Sequence, residues 1–427
     1  MKFIISSITI SGLLLLNGCG SSDSWGKGNC ESCDNNNISS EEGSSTTTST
    51  ENERQTLTSE KLGEALFFDK NLSKTGKTSC ATCHDPKHAF IDARFQGDVN
   101  QTIFVHGAFS VGDDGVSLGG RNSPTAAYAM FSPAFGEKDG IYKGGQFHDG
   151  RAKTLKIQAM GPPLDGAEMQ MPNKEAVIER IKQNSQYVSQ FKTLYGEDIF
   201  NNADQAYDKM AEAISDFEKT EQFRPFDSKF DRWVAGTYKF TELEQKGYDL
   251  FNSEKTNCRL CHTTNSSSIN TEAKKEIFTN FEYENVGTPR NIVAMNRRVS
   301  LGLQDKDHKF RGLGQVTDDT SNDGKSRVPT LRNIAVTDPY MSNGQFRKLR
   351  TVLEFYDFIS GKGTHNINPE TGKAWGENDF PATINHEKLG ATEPLSDADI
   401  DALIAFLRTL TDQKYEPLLR PFNPVSK

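Results

Sequence analysis

The stretch KTSCATCHDPKHAF, residues 77–90, contains two cysteines three positions apart and a histidine directly after the second. A cysteine pair with this spacing occurs in redox dithiols, in zinc sites and in covalent haem anchors. In a haem anchor the two thiols, here Cys80 and Cys83, add to the vinyl groups of the porphyrin. The adjacent His84 then reaches the iron as its proximal ligand.

Neither a zinc site nor a redox dithiol fits the surroundings of this pair. A closed zinc site needs four ligands, and the nearest further candidates are His88 and His106, with no second cysteine pair beside them. A thioredoxin-like dithiol needs a βαβ context, and no strand-rich stretch precedes Cys80. We therefore interpret Cys80, Cys83 and His84 as a haem anchor, called the first anchor below.

A second anchor occurs in CRLCH, with Cys258, Cys261 and His262. The context recurs as well, because EKLGEALFF precedes the first anchor and EQKGYDLF precedes the second. The residues in register are Gly63, Leu66 and Phe67 in the first copy and Gly247, Leu250 and Phe251 in the second. A repeated anchor behind an amphipathic helix predicts a duplicated c-type cytochrome domain with two covalent haem c groups.

The N-terminus has the features of an exported protein. After Lys2, an apolar run from Phe3 to Leu16 fits a secretory signal over residues 1–18 and is too short for a comfortable membrane span. The run ends in LLNGC, which is similar to a bacterial lipobox, so we expect Cys19 to carry a lipid. The alternative is an ordinary cleaved signal with a chance cysteine. Both predict a mature protein outside the cytoplasm, on the periplasmic side of a bacterial envelope.

The segment after the signal, residues 19–56, is rich in Ser, Thr, Asn and Glu and nearly free of large apolar groups. Such a segment buries too little surface to fold, which predicts a disordered tether. Its Cys30 and Cys33 have no following histidine and form either a local disulfide or two idle thiols. The rest divides into an N-terminal haem domain, 57–230, and a C-terminal haem domain, 231–427.

The composition of this 427-residue chain is that of a globular protein, with 35% hydrophobic and 25% charged residues. A formal net charge of -9 argues against a nucleic-acid-binding protein, which needs basic patches. Helix signals dominate: Thr241 opens a capping box, Ser396 caps an apolar-faced helix, and Pro124 follows the N-cap candidate Ser123. We predict a mainly α fold of two c-type cytochrome domains, each wrapped around one covalent haem, with long loops.

Four longer motifs occur in order along the chain. They are GGRNSPT (119–125), QFHDGRA (146–152), GPPLDGAEM (161–169) and VPTLRNIAVTDPYMSNGQF (328–346). Together they resemble the bacterial di-haem cytochrome c peroxidase family and its MauG branch, over residues 62–411. The resemblance implies an oxidoreductase that reacts with hydrogen peroxide at a peroxidatic N-terminal haem. The C-terminal haem then exchanges electrons with a small donor cytochrome or a protein substrate.

The resemblance also implies the residues of the peroxidatic pocket. Glu168 occupies the position of the distal acid/base carboxylate, and Gln158 and Pro162 occupy other pocket positions. Outside this motif Glu168 would be interpreted as a solvated loop carboxylate. A peroxide-cleaving iron needs an acid/base group above an open face, because a proton must move from the inner to the leaving oxygen.

A calcium ion between the haems is a further implication of the resemblance. Asn122 and the backbone carbonyls of Thr337 and Pro339 match its ligands, although an isolated Asn in RNSP is more often a turn residue. One departure from the family pattern is His148, which replaces the tryptophan usually found between the haems. His106 could cap the first iron, but we expect that iron to be open and five-coordinate.

Tyr356 aligns with the distal ligand of the second haem, where peroxidases proper have a methionine. It shares a helix face with Leu349, Val352 and Leu353 by 3/4 spacing and therefore points inward. Without the resemblance it would be a core tyrosine, and Met341 is the competing ligand. Tyrosine here is the mark of MauG-like enzymes, which oxidise protein side chains.

The non-enzymatic alternative is an electron-transfer cytochrome, in which strong ligands cap both irons. Glu168 within GPPLDGAEM counts against it. For partners, we expect hydrogen peroxide and a redox protein, no nucleic acid, and membrane contact through the N-terminal lipid alone.

Overall fold

Helices make up most of the regular structure. The computed structural model describes residues 57–94, 107–264, 275–390 and 393–425. The α-helices in chain order are α1 (Ser59–Phe68), α2 (Cys80–Cys83), α3 (Leu155–Ala159), α4 (Lys174–Lys182), α5 (Ser185–Tyr195), α6 (Ala203–Phe217), α7 (Lys229–Val234), α8 (Glu242–Phe251), α9 (Cys258–Cys261), α10 (Ile292–Ser300), α11 (Leu313–Thr317), α12 (Leu349–Ile359), α13 (His386–Leu389) and α14 (Asp397–Arg408). The predicted mainly helical fold class is confirmed.

The strands pair in three small antiparallel sheets within the described ranges. The pairs are β1 (Gly136–Lys138) with β2 (Ile141–Lys143), β3 (Tyr283–Glu284) with β4 (Ser326–Arg327), and β5 (Ile367–Asn368) with β6 (Lys373–Ala374). Long irregular connections join the helices, as predicted. None of the helices described is long and apolar enough to cross a lipid bilayer.

Two helix pairs repeat the same packing, α1 against α6 and α8 against α14. Each crossing is made at a glycine. A Cβ atom on Gly63 would lie 1.8 Å from the carbonyl oxygen of Ala213, and one on Gly247 would lie 1.9 Å from that of Ala402. Only glycine permits backbones to approach this closely. The glycines that are in register in the sequence therefore mark equivalent helix crossings.

Each helix pair belongs to its own apolar core. Phe67 is buried in the first core, and Phe251 and Phe406 are buried in the second. The segment after the second anchor contributes to both, because Phe281 packs into the first core and Phe278 into the second. Residues 56–427 form one compact unit. The division between residues 230 and 231 stays a prediction.

The predicted helix starts at Thr241 and Ser396 are confirmed, each with a capping box. The predicted helix at Ser123–Pro124 is wrong, because residues 122–126 have no regular secondary structure. The Thr125 hydroxyl donates a hydrogen bond to another loop, and this bond holds the segment against that loop and leaves it extended.

Several predictions concern residues outside the described ranges. They are the signal at 1–18, lipidation of Cys19, the tether at 19–56, the pair Cys30 and Cys33, and His106.

Candidate functional site

The first anchor is a single helical turn, α2. The backbone N–H of Ser79 donates to the Thr82 hydroxyl at 2.9 Å, which closes the start of the turn. Cys80 and Cys83 are free thiols and half-buried. Residues three apart in a helix lie on one face, so both sulfurs face the same way. The second anchor repeats this turn in α9, with Cys258 and Cys261 also free. Two thiols on one face suit attachment to one macrocycle.

Both anchor histidines are held through the ring nitrogen Nδ1. His84 Nδ1 lies 3.1 Å from the carbonyl oxygen of Phe90, and His262 Nδ1 lies 3.0 Å from that of Phe278. A carbonyl only accepts, so Nδ1 carries the proton and Nε2 keeps its lone pair. Burial lowers the pKa of both rings, that of His262 to about 4. Both histidines are therefore neutral near pH 7, which is the form that ligates iron.

A Pro-Thr pair supports each of these histidine loops. The Thr125 hydroxyl donates to the Ala89 carbonyl at 2.6 Å, and the Thr330 hydroxyl donates to the Ile277 carbonyl at 2.7 Å. In each case the residue whose carbonyl accepts this bond directly precedes the phenylalanine whose carbonyl binds the anchor histidine. Our sequence reasoning missed this equivalence, although the Pro-Thr shared by GGRNSPT and VPTLRN was a signal that could have revealed it.

A single carboxylate, Asp412, joins the two copies of this support. Tyr128 and Asn333 each lie three residues after the supporting threonine, and both have a left-handed backbone, with φ of 61° and 62°. The Tyr128 hydroxyl donates to Asp412 Oδ1 at 2.7 Å, and Asn333 Nδ2 donates to Oδ2 at 2.8 Å. Burial raises the pKa of Asp412 to about 6. Sequence reasoning missed this link, because Tyr128 and Asn333 lie 284 and 79 residues from Asp412 along the chain.

The Glu168 carboxyl lies near the first anchor. Burial is the main cause that raises the pKa of Cys80 and Cys83, the latter to about 12, and the charge of Glu168 adds to both shifts. Burial and the neighbouring charge of Asp165 raise the pKa of Glu168 itself to about 7. A carboxyl with this pKa can both give and take a proton near neutral pH.

Of the predicted pocket residues, Gln158 lies in the last turn of α3, and Pro162 and Glu168 lie in the series of turns that follows it. The N–H of Gly161 donates to the Gln158 carbonyl at 2.9 Å, and that of Met169 donates to the Pro162 carbonyl at 3.2 Å. The N–H of residue 113 donates to the Glu168 carbonyl at 2.7 Å and fixes the backbone of Glu168. The structure thus brings the three residues together, and their roles stay predictions.

Tyr356 lies on α12, which confirms the predicted helix. Burial raises the pKa of its hydroxyl, and the charges of Cys261 and Cys258 add to the shift, so the hydroxyl lies near both sulfurs of the second anchor. The competing Met341 is half-buried, with a φ of 70°, in an apolar cluster with Phe346.

Comparison with known proteins agrees with this arrangement. Residues 57–239 match the family described as di-haem cytochrome c peroxidase. Methylamine utilization protein MauG of Paracoccus denitrificans is 44% identical over 368 residues, which cover 86% of this chain and 92% of that protein. The chain belongs to the di-haem cytochrome c peroxidase family. The predicted family is thereby confirmed, and the two anchors agree with a family that has two haems.

Other relatives of this chain include cytochrome c551 peroxidase of Nitrosomonas europaea. It is 27% identical over 366 residues, which are 85% of this chain and 83% of that protein. The crystal structure of the di-haem peroxidase BthA from Burkholderia thailandensis superposes with a TM-score of 0.72 and 28% identity. The superposition covers 86% of this chain and 89% of that one. The fold is therefore similar to that of this solved di-haem peroxidase.

His148, where the resemblance implies a tryptophan, contacts both the segment of Asn122 and the segment of Arg327. Its ring Nε2 lies 3.0 Å from the Asn122 carbonyl oxygen, and its own carbonyl accepts from the Arg327 N–H at 2.8 Å. Burial lowers the pKa of His148 to about 4, so the imidazole is neutral. A neutral ring with one N–H donor occupies this position.

The residues predicted to bind calcium meet the chemical requirement of oxygen ligands. Asn122 Nδ2 donates to the carbonyls of Gly107 and Ala108 at 3.4 and 3.2 Å, and its Oδ1 remains as the potential ligand. The Asn122 N–H donates to the Ser342 carbonyl at 2.9 Å, which joins this loop to the segment after Pro339. Calcium binding itself stays a prediction.

Proposed function

We propose that this di-haem peroxidase reacts with hydrogen peroxide at its N-terminal haem and uses the oxidising equivalents to oxidise a partner protein, as in the MauG branch. One observation carries the proposal: Tyr356, on α12, is close enough to the second anchor for the charges of Cys261 and Cys258 to add to the rise that burial causes in the pKa of its hydroxyl. A phenolate is a hard anionic ligand that lowers the potential of iron, whereas methionine raises it. A tyrosine-ligated haem is suited to holding an oxidising equivalent and poorly suited to accepting electrons from a cytochrome.

The anchors supply what two covalent haems require. Each CxxCH turn presents both thiols on one face and a neutral histidine whose Nε2 is free to bind iron. The bound haem supplies an iron at which peroxide binds and gives up its oxidising equivalents. We assign His84 and His262 as the histidines that would ligate the two irons and Tyr356 as a residue that would also ligate the second.

Glu168 performs the proton transfer in this proposal. Its carboxylate takes the proton from the inner oxygen of hydrogen peroxide and returns it to the outer oxygen, which leaves as water. The carboxyl is suited to this step because burial raises its pKa to about 7. Gln158, at the end of α3, and Pro162, in the turns that lead to Glu168, line the pocket in this proposal. The proton leaves and returns at one group, so the step needs no exchange with solvent.

The location of the partner follows from the N-terminal prediction. With a lipid on Cys19, the enzyme meets its partner protein on the periplasmic side of the envelope. Calcium at Asn122, Thr337 and Pro339 would join the loops of the two parts.

Three variants test the ligand assignment. Tyr356→Phe should change the spectrum of the second haem. Tyr356→Met should raise its potential and give activity with a reduced c-type cytochrome. Met341→Leu should change neither, since this near-isosteric swap costs under about 1.5 kcal/mol. The assignment is wrong if Met341→Leu removes a sulfur-to-iron absorption band while Tyr356→Phe leaves the spectrum unchanged. The protein would then be a cytochrome c peroxidase of the conventional kind.

A further inference from the structure

A further group of ligating side chains contains no residue of either anchor. Glu354 lies on α12, His365 lies on the connection that follows, and Asp397 is the first residue of α14. One ligand atom from each lies within 4.8 Å of the other two. We propose that Glu354, His365 and Asp397 bind a divalent transition-metal ion of the zinc class.

The ring of His365 is oriented as metal-binding imidazoles are. Its Nδ1 lies 2.7 Å from Asp357 Oδ2, and the same oxygen accepts the N–H of Thr364 at 2.9 Å. Trp375 Nε1 donates to the His365 carbonyl at 2.7 Å and fixes the backbone. A carboxylate on one ring nitrogen sets the tautomer and leaves the other nitrogen, here Nε2, as the ligand.

The carboxylate of Glu354 is buried, and its ion pair with Arg350 is long. Its residue is 7% exposed, and the nearest cation, Arg350 Nη1, is 3.6 Å away, beyond hydrogen-bonding distance. Burying a carboxylate is unfavourable unless a charge or hydrogen bonds compensate it, and the pair with Arg350 does so only at long range. A metal ion would satisfy this oxygen.

Arg350 is the competing cation, because its Nη1 pairs with both Glu354 and Asp397. Its Nη1 lies 2.9 Å from Asp397 Oδ1, and its Nη2 pairs with Asp401. If an ion binds Asp397, Arg350 keeps its pair with Asp401. The exposed side of the group is Asp397, whose side chain is 55% exposed, so an ion can enter from solvent.

The three ligand atoms need to move only slightly closer together to bind an ion. An ion at the centre of a triangle with sides of 4.8 Å lies about 2.8 Å from each corner. Zinc binds imidazole nitrogen and carboxylate oxygen at about 2.0–2.2 Å. Each side chain therefore moves by less than about 1 Å. Three protein ligands also leave the fourth tetrahedral position to water.

The nitrogen ligand decides the class of metal. Calcium takes six to eight oxygen ligands and magnesium prefers oxygen in an octahedron, whereas imidazole with carboxylates suits zinc and its neighbours. The bound ion would join α12, the following connection and the start of α14. Since α12 also carries Tyr356, the ion would fix the helix beside the second anchor.

The test is calorimetric titration of the haem-loaded protein with Zn²⁺, after chelator treatment and with excess Ca²⁺ present to fill any calcium site. Wild type should bind one more equivalent of Zn²⁺ than His365→Ala or Asp397→Asn. Asp357→Asn should weaken this site by about 10–100-fold, because the residue positions the imidazole. Zn²⁺ should also raise the thermal midpoint of wild type and not that of Asp397→Asn.

A matched control is His88→Ala. His88 Nδ1 lies 2.6 Å from Asp85 Oδ2, so it has the same imidazole–carboxylate pair without the further carboxylates of this group. This variant should retain the full zinc stoichiometry. Equal zinc binding by wild type, His365→Ala and Asp397→Asn would overturn the proposal, as would the absence of zinc binding by wild type. If His365→Ala does not fold, the exposed Asp397→Asn decides the outcome.

Discussion

The two anchors have the same support around the histidine and differ in the titratable side chain near the two sulfurs. Both have a CxxCH turn, a histidine bound to a phenylalanine carbonyl, and a threonine hydroxyl that supports the loop. Near the sulfurs, however, the first anchor has the carboxyl of Glu168 and the second has the phenol of Tyr356. The support of the anchor histidine is therefore the same in the two copies, while the titratable side chain near the sulfurs differs.

The largest effect is expected from removing one anchor at a time. Wild type should show two haem additions in its denatured mass. Cys258→Ser with Cys261→Ser should show one and still bind peroxide, whereas Cys80→Ser with Cys83→Ser should show one and lose the peroxide reaction. A wild-type mass with a single haem would contradict the equivalence of the anchors. That measurement decides even if a double variant does not accumulate.

The next effect concerns the carboxyl that only the first anchor has. Glu168→Gln should leave haem content and spectra unchanged and slow the reaction with peroxide by about 10²–10⁴-fold, the usual size of a general acid/base contribution. Glu218→Gln is the matched control, because Glu218 is also buried near Cys80, with a pKa that burial raises to about 8. Stopped-flow rates that are equal for wild type and Glu168→Gln would remove Glu168 from the mechanism.

The same carboxyl predicts a pH dependence. Because the ionised form takes the proton from peroxide, the rate should rise with pH, with a midpoint near the raised pKa of Glu168, about 7. The Glu168→Gln variant should lack this rise. A flat profile for wild type would mean that another group accepts the proton.

The smallest effect tests the carboxylate that joins the two copies. Asp412→Asn leaves Tyr128 or Asn333 without its acceptor and should lower the free energy of unfolding by about 1–3 kcal/mol. Asp227→Asn is the control, because Asp227 accepts an N–H from residue 413 at the exposed edge. It should change stability by less than about 0.5 kcal/mol. Equal thermal midpoints for the two variants would show that the hydrogen bonds to Asp412 add nothing to the stability of the fold.

The raised pKa of Asp412 also predicts that the folded protein loses stability as the pH rises. Its folded pKa is raised to about 6, above the value of about 3.9 for an exposed aspartate, so the folded state holds this proton more tightly. The resulting stability is full below about pH 4 and is lost as the pH rises through about 6. Asp412→Asn should not show this loss.

Local signals were enough to predict the anchors, the helices that precede them and the caps at Thr241 and Ser396. These features depend on residues a few positions apart. The helix expected at Pro124 was wrong, because tertiary hydrogen bonding by Thr125 overrides a local preference. The hydrogen bonds of Tyr128 and Asn333 to Asp412 join residues that are far apart in the sequence, so no local sequence pattern could predict them. The roles of Glu168 and Tyr356 came from family resemblance, and the structure adds their position beside the sulfurs.

The glycine crossings have a consequence for how such a duplication can be recognised. Gly63 and Gly247 face carbonyl oxygens with no room for a methyl group, whatever chemistry the neighbouring iron performs. Selection on packing therefore preserves these positions while selection on reactivity replaces ligands, acids and bases. In a more diverged descendant, a glycine about one helix ahead of a CxxCH turn would outlast the residues that once defined its function, and it would record the common ancestry of the two halves.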